Sequence, residues 1–142
     1  MNAQNFSNHV RVHPLYHYFA VPVSLLLVVA ALVDIVIDFS FSKVIVLVAT
    51  ILLHLAIFLS REYAKKNQDR IIRMELRLRY FQLSRERLEE YEEKYSSGQL
   101  AAMRFASDDE FLQLLLNPGT LDKSPTEIKR EIAQWQADWM RV

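Results

Sequence analysis

The sequence predicts an all-α membrane protein: a two-helix transmembrane hairpin, its second helix continuing into a long cytoplasmic helix, then a small helical C-terminal region. Three observations predict it. Two apolar runs, residues 18–33 and 44–60, stand only ten residues apart; the first holds no charge and the second a single ionisable group, His54. The charges are segregated: of 17 basic and 17 acidic side chains, only Arg11, Asp34, Asp38 and Lys43 precede residue 61. From residue 61 to 95 there is neither glycine nor proline, and strong helix formers fill the stretch.

These features divide the 142 residues into an N-terminal arm (1–14), a transmembrane hairpin (15–60), a long cytoplasmic helix (61–96) and a small cytoplasmic helical region (97–142). The net charge of zero hides this division. With no cysteine, a disulfide, an iron–sulfur cluster and a thiolate zinc site are excluded within one chain. Two glycines cannot build a glycine-rich phosphate loop. No cofactor and no metal are expected.

A spanning helix needs about 20 mostly apolar residues, and segments of about 15–37 and 42–60 meet that need. Asp34 and Lys43 then lie near one interface, with Lys43 snorkelling toward it. Pro14 suits a first helical turn, and Pro22 predicts a modest kink. Tyr16, Tyr18 and Phe19 at one end, with Phe58 and Tyr63 at the other, form an interfacial aromatic belt. A cleaved signal peptide, processed near Val29-Ala30-Ala31, is the rival reading; the polar lead and the second span argue against it. Basic residues set the orientation. The connecting turn offers Lys43 against two aspartates, whereas Arg11, Arg61, Lys65, Lys66, Arg70 and Arg73 flank the other ends. Both termini are therefore expected in the cytoplasm.

With the turn centred between residues 40 and 41, Ser24 lies level with Ile57 and Ala31 with Thr50. Ser24 and Ala31 share one face of the first helix, Ala49 and Ala56 one face of the second. Small residues let membrane helices approach closely, so these four predict the packing seam of the hairpin. Ionisable groups inside spans are often functional, which singles out Asp34 and His54. Their depths differ by about seven residues, roughly 10 Å at 1.5 Å per residue. The simpler reading is an interfacial Asp34–Asp38 pair and a neutral His54 bonded to Thr50 or a group level with Ser24.

In the arm, His9, His13 and His17 have the spacing of ligands on one helix face. Pro14 biases His13 away from helical geometry, so His13 reads as an N-cap and His17 as a residue at headgroup level. In the long helix, Ile71, Met74, Leu78, Phe81, Leu88 and Tyr95 follow heptad spacing, and Ile72, Leu76 and Leu83 form a second stripe. The apolar face is expected to pack against the C-terminal region or against a second copy. Residues 61–79 carry seven basic and three acidic groups, residues 80–96 three and five. The basic half suits anionic lipid, and the acidic half argues against nucleic acid as a partner.

Gly98 is expected to stop the long helix, with a short helix following over 99–106. Ser107-Asp108-Asp109-Glu110 is a capping box opening another helix, stopped by Asn117-Pro118-Gly119. Ser124-Pro125-Thr126-Glu127 is a second box with proline at its first position. Ile128, Ile132, Trp135 and Trp139 then share one helical face. Trp135 and Trp139 are candidate interaction residues, since tryptophan dominates binding hot spots; core packing is the alternative. Asp108, Asp109 and Glu110 are explained by the helix dipole, and no nucleophile–base pair is identifiable.

Asn8-His9 with Arg11, Pro14-Leu15-Tyr16-His17, Gln68-Asp69-Arg70, Arg104-Phe105-Ala106-Ser107-Asp108 and Trp135-Gln136-Ala137-Asp138 run across nearly the whole chain. In these residues it resembles a bacterial family of small two-span membrane proteins of unknown function. The resemblance implies a bacterial inner membrane and carries no catalytic residue. The expected function is that of a non-enzymatic, membrane-anchored interaction or scaffold protein. Its expected partners are the lipid bilayer and either a second copy or another membrane protein. The alternative is an oligomeric subunit of an ion or small-molecule transport system using Asp34 and His54.

Overall fold

The computed structural model describes residues 4–9 and 12–138, and every regular element among them is helical. The chain divides into two units, one drawn from Arg11–Lys65 and the other from Met1–Val10 with Lys66–Arg141. The first is the apolar unit, the second the polar unit.

The apolar unit opens on a π-helical turn, Leu15–Ala20, that leads into α1, Val21–Ile37. The His13 carbonyl accepts from the Tyr16 and His17 amides, and the Val21 amide reaches back five residues to Tyr16. Pro22 explains the widened turn: it has no amide to give the carbonyl four residues earlier, and its ring crowds that carbonyl. The sequence predicts a kink at Pro22; the strain is absorbed as a π segment before it. Helix α1 ends at Asp38, whose extended backbone starts a short turn, and α2 begins at Phe41.

Helix α2, Phe41–Ser84, is continuous over 44 residues and serves both units. Within the apolar unit the two helices touch at three depths. Tyr16 lies under the Arg61 guanidinium at 5.0 Å, Ser24 Oγ is 2.8 Å from His54 Nδ1, and Lys43 Nζ is 3.1 Å from Asp34. Ser24 is therefore level with His54, three residues short of the expected Ile57. The turn is centred near Phe39, earlier in the chain than the sequence predicts.

Of the predicted seam, Ser24 and Ala31 are buried. Ala49 and Ala56 are not: both are exposed, and α2 instead turns Val44, Leu47, Thr50, His54 and Ile57 toward α1. The correction has a polar cause. Facing the alanines inward would turn His54 outward among apolar side chains, leaving its ring nitrogens without a partner, at a cost of several kcal/mol on the order of a lost buried hydrogen bond. The observed face pairs His54 with Ser24.

The polar unit has one core. Ile72, Leu76 and Tyr80 of α2 pack with Leu88, Tyr95, Leu100, Met103, Phe111, Leu115 and Ile128. The sequence predicts an unbroken helix to Tyr95, but α2 ends at Ser84 and Arg85 adopts the left-handed backbone, φ 63°. Such a residue costs roughly 1–2 kcal/mol when it is not glycine. The reversal returns the chain along α2, so that α3, Glu89–Glu92, sets the buried Glu92 carboxylate on Arg77 (Nε to Oε2, 2.9 Å). It also places Tyr91 beside Tyr80, with ring centroids 5.7 Å apart. Tertiary pairing thus outweighs helix propensity. Of the expected heptad seam, Ile71, Met74, Leu78 and Phe81 are left exposed while Leu88 and Tyr95 are buried; of the second stripe, Ile72 and Leu76 are buried and Leu83 is exposed.

Helix α4, Ser97–Met103, opens with a capping box formed by Ser96 and Gln99. Gly98 lies inside this helix rather than ending the preceding one. A Cβ at Gly98 would sit 2.9 Å from Pro125 Cγ, closer than such atoms pack, so the missing side chain is what lets α6 approach α4. Gly98→Ala should gain about 1 kcal/mol of helix propensity and lose about 1–3 kcal/mol to the forced contact. We expect a net fall in the thermal midpoint, read by circular dichroism of the detergent-solubilised chain; a rise would show that the two helices part freely.

Both predicted capping boxes form. Ser107 opens α5, Asp108–Leu116, and Ser124 opens α6, Pro125–Glu131, each side chain accepting from the amide of the third residue on while its own amide donates back to that residue's glutamate carboxylate. A 3-10 turn, Pro118–Thr120, links them. Tyr95 donates to the Leu115 carbonyl at 2.7 Å, closing the end of α5. The periodicity from Ile128 to Trp139 predicts a longer α6, yet Ile132 is already extended. Glu110 captures the Ala133 and Gln134 amides at 2.9 and 3.2 Å, and the Phe105 carbonyl takes the Gln136 amide at 2.7 Å. These acceptors replace the ones a helix would supply.

Candidate functional site

Within the polar unit, the chain's first described residues meet its last around Phe105. Just after α4, Phe105 donates its amide to Ala102, and the tight turn drives its ring inward to 1% exposure. Trp135 stacks on that ring at 4.5 Å between centroids and 17° between planes. His9 meets the ring edge-on at 5.9 Å, and the Arg104 guanidinium lies over it at 4.8 Å. Stacking and cation–π geometry of this kind add to simple burial.

Polar groups tie the aromatic cluster together. His9 is buried, with Nδ1 2.6 Å from the Phe6 carbonyl and Nε2 3.3 Å from Lys129 Nζ. An ammonium only donates, so Nε2 accepts and Nδ1 carries the proton given to Phe6. The buried Gln4 amide is used on both sides. Its oxygen accepts from the Asp138 amide at 2.7 Å and the Trp135 indole at 3.3 Å, while its nitrogen donates to the Asp138 carbonyl at 3.0 Å. Arg104 closes the ring with a 2.6 Å bond to the Asp138 carboxylate. Beside it a cavity of about 60 Å³ is lined by Gln68, Asp69, Ile72, Arg104, Phe105 and Lys129. That volume suits a water molecule or two.

Trp135, singled out as a candidate interaction residue, is thus half-buried and engaged inside the unit. Trp139 lies outside the described residues. His9 belongs to this unit, whereas His13 and His17 belong to the apolar one. Four of the five motifs named in the sequence converge here, through His9, Gln68 and Asp69, Arg104 and Phe105, and Trp135 and Asp138. Sequence reading missed the convergence because no periodicity connects segments so far apart. The Ser96–Gln99 capping box that opens α4 was missed as well, because Gly98 reads as the end of the preceding helix.

Flanking pairs hold the surrounding elements. Arg79 bonds Asp108 at 2.7 Å and the Ala106 carbonyl at 2.7 Å, binding α2 to the start of α5. The Arg77 hydrogen bond holds the Glu92 carboxyl below its usual range against the opposing effect of burial. Burial pushes the Tyr80 phenol up to about 12. For Glu110, burial acts upward, but amides from Ala133, Gln134 and Ser107 prevail and lower it.

In the apolar unit the two candidate polar groups stay apart. His54 bonds Ser24, and Asp34 pairs with Lys43, which also reaches Asp38 at 3.3 Å. Ser24 precedes Asp34 by ten residues on one helix, about 15 Å. The joint around Phe105 is built for holding segments together, through stacking, amide pairing and one ion pair. No curated protein and no solved structure matches the chain. The family of unknown function DUF6526 matches residues 1–142, and the chain belongs to that family.

Proposed function

We propose that this is an integral membrane protein of the bacterial inner membrane, a non-enzymatic anchor that holds a helical interaction module at the cytoplasmic face. One observation carries the reading: only 6% and 0% of the apolar windows of the helical stretches Leu15–Ile37 and Phe41–Ser84 are buried, with side chains such as Leu26, Val36 and Phe58 on the surface. The core helix of a water-soluble protein is covered by its neighbours; these are not, and so large an apolar surface calls for a bilayer. Polar groups inside the pair support it. Ser24 bonds His54 Nδ1 and the Val21 carbonyl, and the Thr50 and Ser60 hydroxyls donate to carbonyls one turn back. The cluster of basic residues after residue 60 favours both termini in the cytoplasm. Since Asp34 and His54 each already have a partner, the transport alternative draws no support from their geometry.

Because the natural chain has no cysteine, single introduced thiols report topology directly. In intact cells, Ser40→Cys should react with a membrane-impermeant maleimide, while Asn67→Cys should react only after lysis. The protein should stay with membranes through an alkaline wash. Release by that wash, or equal labelling of both sites in intact cells, would overturn the anchor reading.

A further inference from the structure

We infer that the exposed stripe Ile71, Met74, Leu78 and Phe81 of α2 is the docking surface for a second copy of this chain, joined in parallel and in register. These residues are 55, 68, 60 and 47% exposed, though each is large and apolar. They sit on the side of α2 opposite Ile72, Leu76 and Tyr80, so the helix carries two apolar faces and the unit's own core uses one. Their spacing of three, four and three is that of alternating a and d positions in a coiled coil.

The flanking charges identify the occupant. With Ile71 and Leu78 at a, Arg70 is a g residue and Glu75 the e residue that follows. In a parallel pair, g of one strand faces the next e of the other, setting Arg70 against Glu75 of the second copy and Glu75 against its Arg70. Neither side chain forms an ion pair among the described residues. An antiparallel pair sets e against e and g against g, bringing Glu75 onto Glu75 and Arg77 onto Arg77. The stripe thus prefers its own sequence in parallel orientation. About eleven residues are too few for an independent coiled coil. Here the inference rests on the anchor reading, because a bilayer fixes both copies in one orientation and raises their effective concentration.

The test uses the full chain in native membranes. Met74→Cys and Leu78→Cys should each give a disulfide-linked homodimer on mild oxidation, and Asp109→Cys, on an exposed position of α5, should not. Arg70→Glu should lower the Met74→Cys yield several-fold, and adding Glu75→Arg should restore it. Leu78→Glu should abolish the dimer while leaving the helical circular dichroism spectrum unchanged. Monomer at both positions, equal crosslinking at all three, or crosslinks only to another protein would overturn the inference. Alkaline washing of the same membranes separates the two readings: an anchored monomer defeats the dimer alone, and a washed-off dimer defeats the anchor alone.

Discussion

Phe105→Ala is expected to cost the polar unit about 3–5 kcal/mol, the range for deleting a fully buried aromatic ring. The ring is 1% exposed and lies among Trp135, His9 and Arg104, so its removal takes away stacking as well as burial. The loss should be uneven. Residues 4–9 and 133–138, held largely through this cluster, should become open to protease and hydrogen exchange well before the α2 face that carries Ile72 and Leu76. In a Trp139→Phe background, emission then reports Trp135 alone, and it should shift to the red. Unchanged emission together with unchanged protection at both ends would show that Phe105 does not hold the joint.

The second large effect lies at the ion pair between α2 and α3. Arg77→Ala leaves the Glu92 carboxylate, 6% exposed, without its principal partner, whereas Glu92→Gln leaves a guanidinium that is 43% exposed and reaches water. Stranding a buried carboxylate costs about 3–5 kcal/mol. The exposure of Arg77 reduces this to roughly 2–3 kcal/mol. Glu92→Gln should cost about 1 kcal/mol, the worth of an ordinary hydrogen bond. Urea unfolding of the detergent-solubilised protein should show this asymmetry, and equal losses would mean that Glu92 finds another donor. The pair also sets a pH dependence. Because the folded Glu92 carboxyl lies below its ordinary 4.5, its contribution is present above that value and fades as the pH falls through the folded pKa. Glu110, also lowered, acts in the same direction.

Local chemistry made much of this fold legible. Two capping boxes and a proline at the first helical position placed α5 and α6, since hydroxyl and carboxylate stand within one turn of the amides they serve. The two apolar helices were legible from composition. What failed was wherever a distant group outbids a neighbour. Arg85 interrupts α2 because Glu92, fifteen residues from Arg77, must reach it; no preference for helix at residue 85 encodes that. The expected helix through Trp135 gives way because Glu110 supplies acceptors from another element. Size recommends Ala49 and Ala56 for the seam, but the pairing of Ser24 with His54 decides the face. The candidate site was legible as separated motifs and not as one place, because Gln4, Phe105 and Trp135 have no common period.

The bonds from Gln4 to Asp138 join positions 134 apart in sequence. A contact of such separation carries a large loop-closure cost unless the intervening elements are already in place. During synthesis Gln4 leaves the ribosome long before Asp138 and waits while both apolar helices, the reversal at Arg85 and α4 to α6 are made. The Gln4–Asp138 bonds can therefore form only once every one of those elements has been made. These bonds thus mark how far translation has run: a chain that stops before Trp135 contains the residues of every helix among those described but lacks Gln4's partners, Trp135 and Asp138.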